Sequence, residues 1–106
     1  QTAYAGAGND VISAGDGTNT VDAGAGNNSV TTGAGNDSIT AGSGNDVISA
    51  GAGNDTIVAG DGTNTVDAGA GNDSVTGGLG NDSVNAGAGA DTITTSTGDD
   101  YIDGGL

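Results

Sequence analysis

Aspartate is the only charged residue type in this chain: fourteen carboxylates stand among 106 residues with no Lys, Arg or His. Most of them follow a Gly-x-Gly run or a close variant of it at one fixed distance, as in "AGAGNDTIV" (Ala50 to Val58) and "AGSGNDVIS" (Ala41 to Ser49). Turns made of glycine expose their carbonyls, and an aspartate two residues past the second glycine can fold back over them. Carboxylate and carbonyl oxygens are the ligands hard divalent cations take, six to eight at a time for calcium. Catalysis has far less to work with, because no His, Cys or Lys is present to act as base or nucleophile. Aspartate pairs could imitate a glycosidase dyad, but their repetition points to ligation, and no enzymatic site is expected.

The element that must position these acids is a nonapeptide. From Ala5 to Asp103 the chain divides into eleven nine-residue units without insertion or deletion. Residues 1–4 are an incomplete preceding repeat and 104–106 the start of a further one. The sixth position reads Asp10, Asn19, Asn28, Asp37, Asp46, Asp55, Asn64, Asp73, Asp82, Asp91 and Asp100. Glycine fills the fourth position throughout and the second everywhere except Ser96. The eighth position is Ile or Val in every unit, from Ile12 and Val21 to Ile93 and Ile102. A coarser repeat overlies this one: "GDGTNTVDAGAGN" occurs at Gly15 to Asn27 and again at Gly60 to Asn72, as duplication of a 45-residue block would leave it.

Nine is a poor multiple of 3.6, and two or three glycines per unit would each cost a helix about 1 kcal/mol relative to alanine. Glycine at alternating positions instead suits a tight turn, and the x-Ile/Val-x triplet after it has strand chemistry, one apolar side chain facing one way and small polar neighbours the other. Constant spacing with no long connection predicts an all-β solenoid, the chain coiling in one direction with two units per revolution and its strands in two parallel sheets. Ile and Val then face inward and alanines fill the narrow remainder. Such a core is thin. Leu, Ile and Val total 16 of 106 residues at a net charge of −14, a composition that by itself describes a disordered chain. Something positive must join the fold, and the missing bases are replaced by metal.

Composition also bounds the partners. An acidic surface repels nucleic acid and anionic lipid, both of which need Lys or Arg. No apolar run approaches the roughly 20 residues of a membrane span, and the N-terminus has no basic and then apolar leader pattern. The repeat runs off both ends, so the segment reads as part of a longer array.

The units "AGSGNDVIS" and "GGLGNDSVN" (Gly77 to Asn85) resemble the nonapeptide G-G-x-G-x-D-x-U-x of the RTX (repeats-in-toxin) family of secreted calcium-binding proteins. The resemblance spans residues 5–103. It departs at the first position, where most units carry Ala, and at the three sixth-position asparagines, expected to remain oxygen ligands without charge. The resemblance implies a right-handed parallel β-roll of 18 residues per turn, about 5.5 turns here, exported unfolded by type I secretion and folded by calcium outside the cell. In that family each ion is held by glycine-turn carbonyls and by sixth-position acids one coil apart. Carried over, one edge holds Asp10, Asn28, Asp46, Asn64, Asp82 and Asp100, and the other Asn19, Asp37, Asp55, Asp73 and Asp91. The carbonyl donors are Gly33, Gly35, Gly42, Gly44, Gly51, Gly53, Gly69, Gly71, Gly78, Gly80, Gly87 and Gly89. Five gaps on one edge and four on the other allow up to nine Ca2+ ions. The gaps 37/55, 55/73, 73/91 and 82/100, with two acids each, are expected to bind tightest.

Four other aspartates, Asp16, Asp22, Asp61 and Asp67, occur only in the duplicated "GDGTNTVD" units, as compensation for Asn at the sixth position or as surface charge. Sequons at Asn27, Asn36, Asn54, Asn72 and Asn81 are a by-product of the repeat. Tyr4 and Tyr101, the only aromatics, are expected to cover the ends of the core. Thr and Asn rows on a calcium-stabilised solenoid resemble the ice-binding face of some bacterial adhesins, but Ala at most third positions removes the Thr row. Open strand edges would let copies associate end to end or laterally, as a filament or surface layer. Together these features predict a structural calcium-binding β-roll of a secreted or cell-surface bacterial protein.

Overall fold

A computed structural model describes residues 1–96 and 98–105. One sheet comprises β1 (Thr2–Tyr4), β3 (Thr20–Asp22), β5 (Ser38–Thr40), β7 (Thr56–Val58), β9 (Ser74–Thr76) and β11 (Thr92–Thr94). The other comprises β2 (Val11–Gly15), β4 (Ser29–Thr32), β6 (Val47–Ser49), β8 (Thr65–Asp67), β10 (Ser83–Asn85) and β12 (Tyr101–Asp103). Successive strands alternate between sheets, and each pairs in parallel with the strand 18 residues away, as Ile39 with Ile57 and Ile48 with Val66. Residues 1–4 supply a strand of their own, so the roll makes six coils where the eleven whole units would make about 5.5.

The triplets alternate exposed, buried, exposed because the pleat turns the eighth-position side chain alone toward the opposite sheet. Val21, Val30, Ile39, Ile48, Ile57, Val66, Val75 and Val84 are buried between the sheets, and the first-position alanines Ala23, Ala41, Ala50, Ala59, Ala68 and Ala86 close the rest of the space. Alanine thus replaces the first glycine of the motif at no conformational cost, since no residue other than glycine has positive φ among the described residues. Thr32 takes the alanine place in one unit and stays satisfied by donating Oγ1–H to the Ala50 carbonyl at 2.8 Å. Burial fades in the outer coils: Ile12 and Ile93 are half-buried and Ile102 is exposed. The two tyrosines do not cover the core. They occupy outward positions, the ninth and seventh of their units, and are 77% and 66% exposed. The product is a flat slab, 35 × 32 × 13 Å, with the sixth-position residues along its two long turn edges.

Candidate metal centre

Each turn is shaped by its two glycines. Gly51 and Gly53 hold φ of 86° and 123°, which L side chains rarely adopt, and a Cβ on Gly53 would overlap the Gly35 carbonyl oxygen of the neighbouring coil. Turns stacked this closely leave their glycine carbonyls crowded together with few donors to answer them.

The sixth-position side chain enters this stack and splits its two head-group atoms between different tasks. Oδ1 accepts a backbone N–H from the sixth position one coil earlier: Asp37 from Asn19, Asp55 from Asp37, and Asp73 from Asp55, each at 2.8 Å. Asp91 accepts likewise from Asp73. On the other edge Asn28, Asp46, Asn64, Asp82 and Asp100 accept from Asp10, Asn28, Asp46, Asn64 and Asp82 at 2.8–3.0 Å. These bonds bridge all nine gaps between coils.

Oδ2 is left over. In Asp10, Asp37, Asp46, Asp55, Asp73, Asp82 and Asp91 it is buried with no hydrogen-bond partner. The asparagines show what it faces. Asn19 Nδ2 donates to the carbonyls of Gly15 and Gly17 at 2.8 and 3.3 Å, Asn28 Nδ2 to Gly24 and Gly26 at 3.1 and 3.3 Å, and Asn64 Nδ2 to Gly60 and Gly62 at 2.9 and 3.4 Å. Because Oδ1 makes the same bond in both residue types, the second atom of the planar group falls in the same place. An aspartate therefore points Oδ2 at two carbonyls of its own turn: Gly51 and Gly53 for Asp55, Gly42 and Gly44 for Asp46. Those carbonyls accept no hydrogen bond from the described residues. Three oxygens face one another with no donor, an arrangement that repels itself unless a cation stands among them.

The same correspondence joins Gly33 and Gly35 with Asp37, Gly69 and Gly71 with Asp73, Gly78 and Gly80 with Asp82, and Gly87 and Gly89 with Asp91. Gly6 and Gly8 join Asp10 by the same spacing, a pair outside the expected donor set. Among the described residues no three acidic side chains converge, so carboxylates alone do not make up a site and carbonyls must share in each cup. Asn19, Asn28 and Asn64, the three sixth-position asparagines, turn the other head-group atom toward the carbonyls. Their single oxygen is engaged by a backbone N–H in Asn28 and Asn64, and all three present nitrogen to the carbonyls.

Burial without a counter-charge shows in the acidity of these groups. Desolvation raises the carboxyls of Asp46, Asp73 and Asp82 above the ordinary range, partly offset by the N–H each accepts. Asp55 is pushed up to about 6 by desolvation, against the pull of the Asp37 N–H, with the charges of Asp73 and Asp37 adding to the rise. Asp16 and Asp61 lie elsewhere: exposed at the third position, each caps a backbone N–H one coil away, of Ala34 at 2.9 Å and Leu79 at 3.1 Å.

A second ladder is formed by residues that sequence alone did not single out as structural. Fifth-position asparagines accept a backbone N–H from one coil onward: Asn27 from Asn45 at 2.8 Å and Asn54 from Asn72 at 2.9 Å, running opposite to the sixth-position bonds. Asn27, Asn36, Asn54, Asn72 and Asn81 all spend Oδ1 this way. The available signal is the column of Asn at that position, which also reads as a row of sequons.

The family model described as "RTX calcium-binding nonapeptide repeat (4 copies)" matches residues 1–30, 22–57, 31–66, 49–84, 58–93 and 76–106, which together span the chain. No curated protein and no solved structure matches it. With repeat, two-sheet roll and oxygen-lined turns in agreement, the chain belongs to the RTX calcium-binding nonapeptide repeat family.

Proposed function

We propose that this chain is a structural element whose fold is completed by calcium at the aspartate turns, and that it works outside the cell. The observation that carries this is the set of buried Oδ2 atoms without a partner, seven among the described residues, each placed by analogy with the asparagines toward glycine carbonyls of its own turn. Residues of each cup would hold the ion through Oδ2 and the second- and fourth-position carbonyls. The ion supplies the charge that stacked carboxylates lack, so binding and folding are one event. In a compartment poor in calcium the acids repel and the chain stays extended and exportable. In a calcium-rich medium it rigidifies.

Calcium titration of Asp55→Ala beside Asp22→Ala tests this reading. Asp55 lies at a cup, whereas Asp22 is exposed on the outer face of β3. The first variant is expected to bind one ion fewer and to fold at higher calcium, and the second to match the parent. Equal behaviour of the two would contradict the assignment.

A further inference from the structure

The three asparagine turns differ from the aspartate turns in one atom, and that atom decides whether an ion is needed. We infer that Asn19, Asn28 and Asn64 are amide plugs: the side-chain NH2 occupies the place of the cation and closes the turn without metal. The inference rests on the reading that calcium fills the aspartate cups.

The geometry carries it. Asn64 is fully buried, and every polar atom of its head group is engaged. Oδ1 accepts the Asp46 N–H at 2.9 Å, while Nδ2 donates to the Gly60 and Gly62 carbonyls at 2.9 and 3.4 Å. Asn19 and Asn28 repeat the donation on their own glycines. An asparagine acting as a weak calcium ligand would turn its oxygen toward those carbonyls and leave the N–H below it without an acceptor. The amide is oriented the other way, which satisfies two acceptors and one donor with no ion. Aspartate in the same place has no proton to give, and its Oδ2 is left unpartnered.

The plugs are distributed unequally. One edge reads Asn19 and then four aspartates in succession, Asp37, Asp55, Asp73 and Asp91. The other reads Asp10, Asn28, Asp46, Asn64, Asp82 and Asp100, with aspartate and asparagine alternating as far as Asp82. The first edge therefore holds a continuous row of ions. On the second edge, from Asp10 to Asp82, a neutral turn stands between ions, separating charges that would otherwise be adjacent. Asn residues thus set both the number of ions and their spacing, and the ranking of gaps by flanking acids gives way to a division between loaded and plugged turns.

Ion counting on the 106-residue chain by equilibrium dialysis, with circular dichroism on the same samples, tests the plug in both directions. Asn64→Asp is expected to bind one more ion than the parent and to lose sheet signal at limiting calcium where the parent keeps it. Asp55→Asn is expected to bind one ion fewer and to fold at calcium no higher than the parent needs. Asp55→Ala, which lacks the amide, needs more. An unchanged ion count in Asn64→Asp, or Asp55→Asn needing as much calcium as Asp55→Ala, overturns the plug while leaving the aspartate sites standing. Should Asn64→Asp fail to fold at any calcium level, Asp55→Asn decides alone. A parent chain that binds no calcium defeats the underlying reading instead.

Discussion

At the scale of the residue, an aspartate here behaves as half of a site and an asparagine as a whole one. Asn64→Ala removes the acceptor of the Asp46 N–H and the donors to two glycine carbonyls. A cost of about 1–3 kcal/mol in the calcium-loaded form is expected, read by chemical denaturation, for the buried groups it orphans. The raised carboxyls make a second prediction. Asp55 titrates at about 6 in the fold against its ordinary 3.8, so between those values the folded chain binds more protons than the unfolded one. Metal-free folding is therefore disfavoured at neutral pH and recovers as pH falls through about 6 toward 3.8. In chelator, sheet signal should grow on acidification from about pH 7 to about pH 4, while calcium affinity falls over the same range as protons compete for the ligands. A chelated sample with no pH response would contradict the burial of these acids. Most of this is legible in the sequence, because the acids recur at one position. The amide's orientation is not, since residue type alone does not say which atom of Asn64 meets the carbonyls.

At the scale of the element, each unit is a short strand, three residues in all but β2 and β4, between two glycine turns, and the two parts fail differently. Ile57 is buried between the sheets, whereas Val58 beside it is 39% exposed. Ile57→Ala should cost about 2–5 kcal/mol and Val58→Ala under about 1 kcal/mol in calcium, both read by chemical denaturation. Gly53→Ala combines an unfavourable φ of 123° with overlap on the Gly35 carbonyl. It should destabilise by about 1–3 kcal/mol from backbone strain alone, and more from the lost stacking. The Ile/Val column at the eighth position marks the strands in the sequence, and the glycine pair marks the turns. The fifth-position ladder is harder to read, because Asn in a turn has a local use as well. Only the 18-residue stacking shows that Asn54 reaches the next coil. Tyr4 and Tyr101 depart from expectation for a related reason: their outward positions follow from strand phase, which places the ninth and seventh residues on the solvent side whatever their size.

At the scale of the whole molecule, a slab 13 Å thick has one layer of Ile and Val and no basic residue to balance fourteen acids. Parallel strands 18 residues apart depend on every turn closing, and seven turns bury an oxygen that nothing in the described chain satisfies. Magnesium, which demands near-ideal octahedral geometry and gives up water reluctantly, fits such carbonyl-rich cups poorly. Calcium should therefore restore the fold at concentrations where magnesium does not. The most direct test of the central claim is circular dichroism of the chain near neutral pH, first in excess calcium and then after exhaustive chelation. A parallel-sheet signal is expected in calcium that collapses toward an unordered spectrum in chelator and returns when calcium is restored. An ordered sheet that survives complete removal of the ion would contradict that claim.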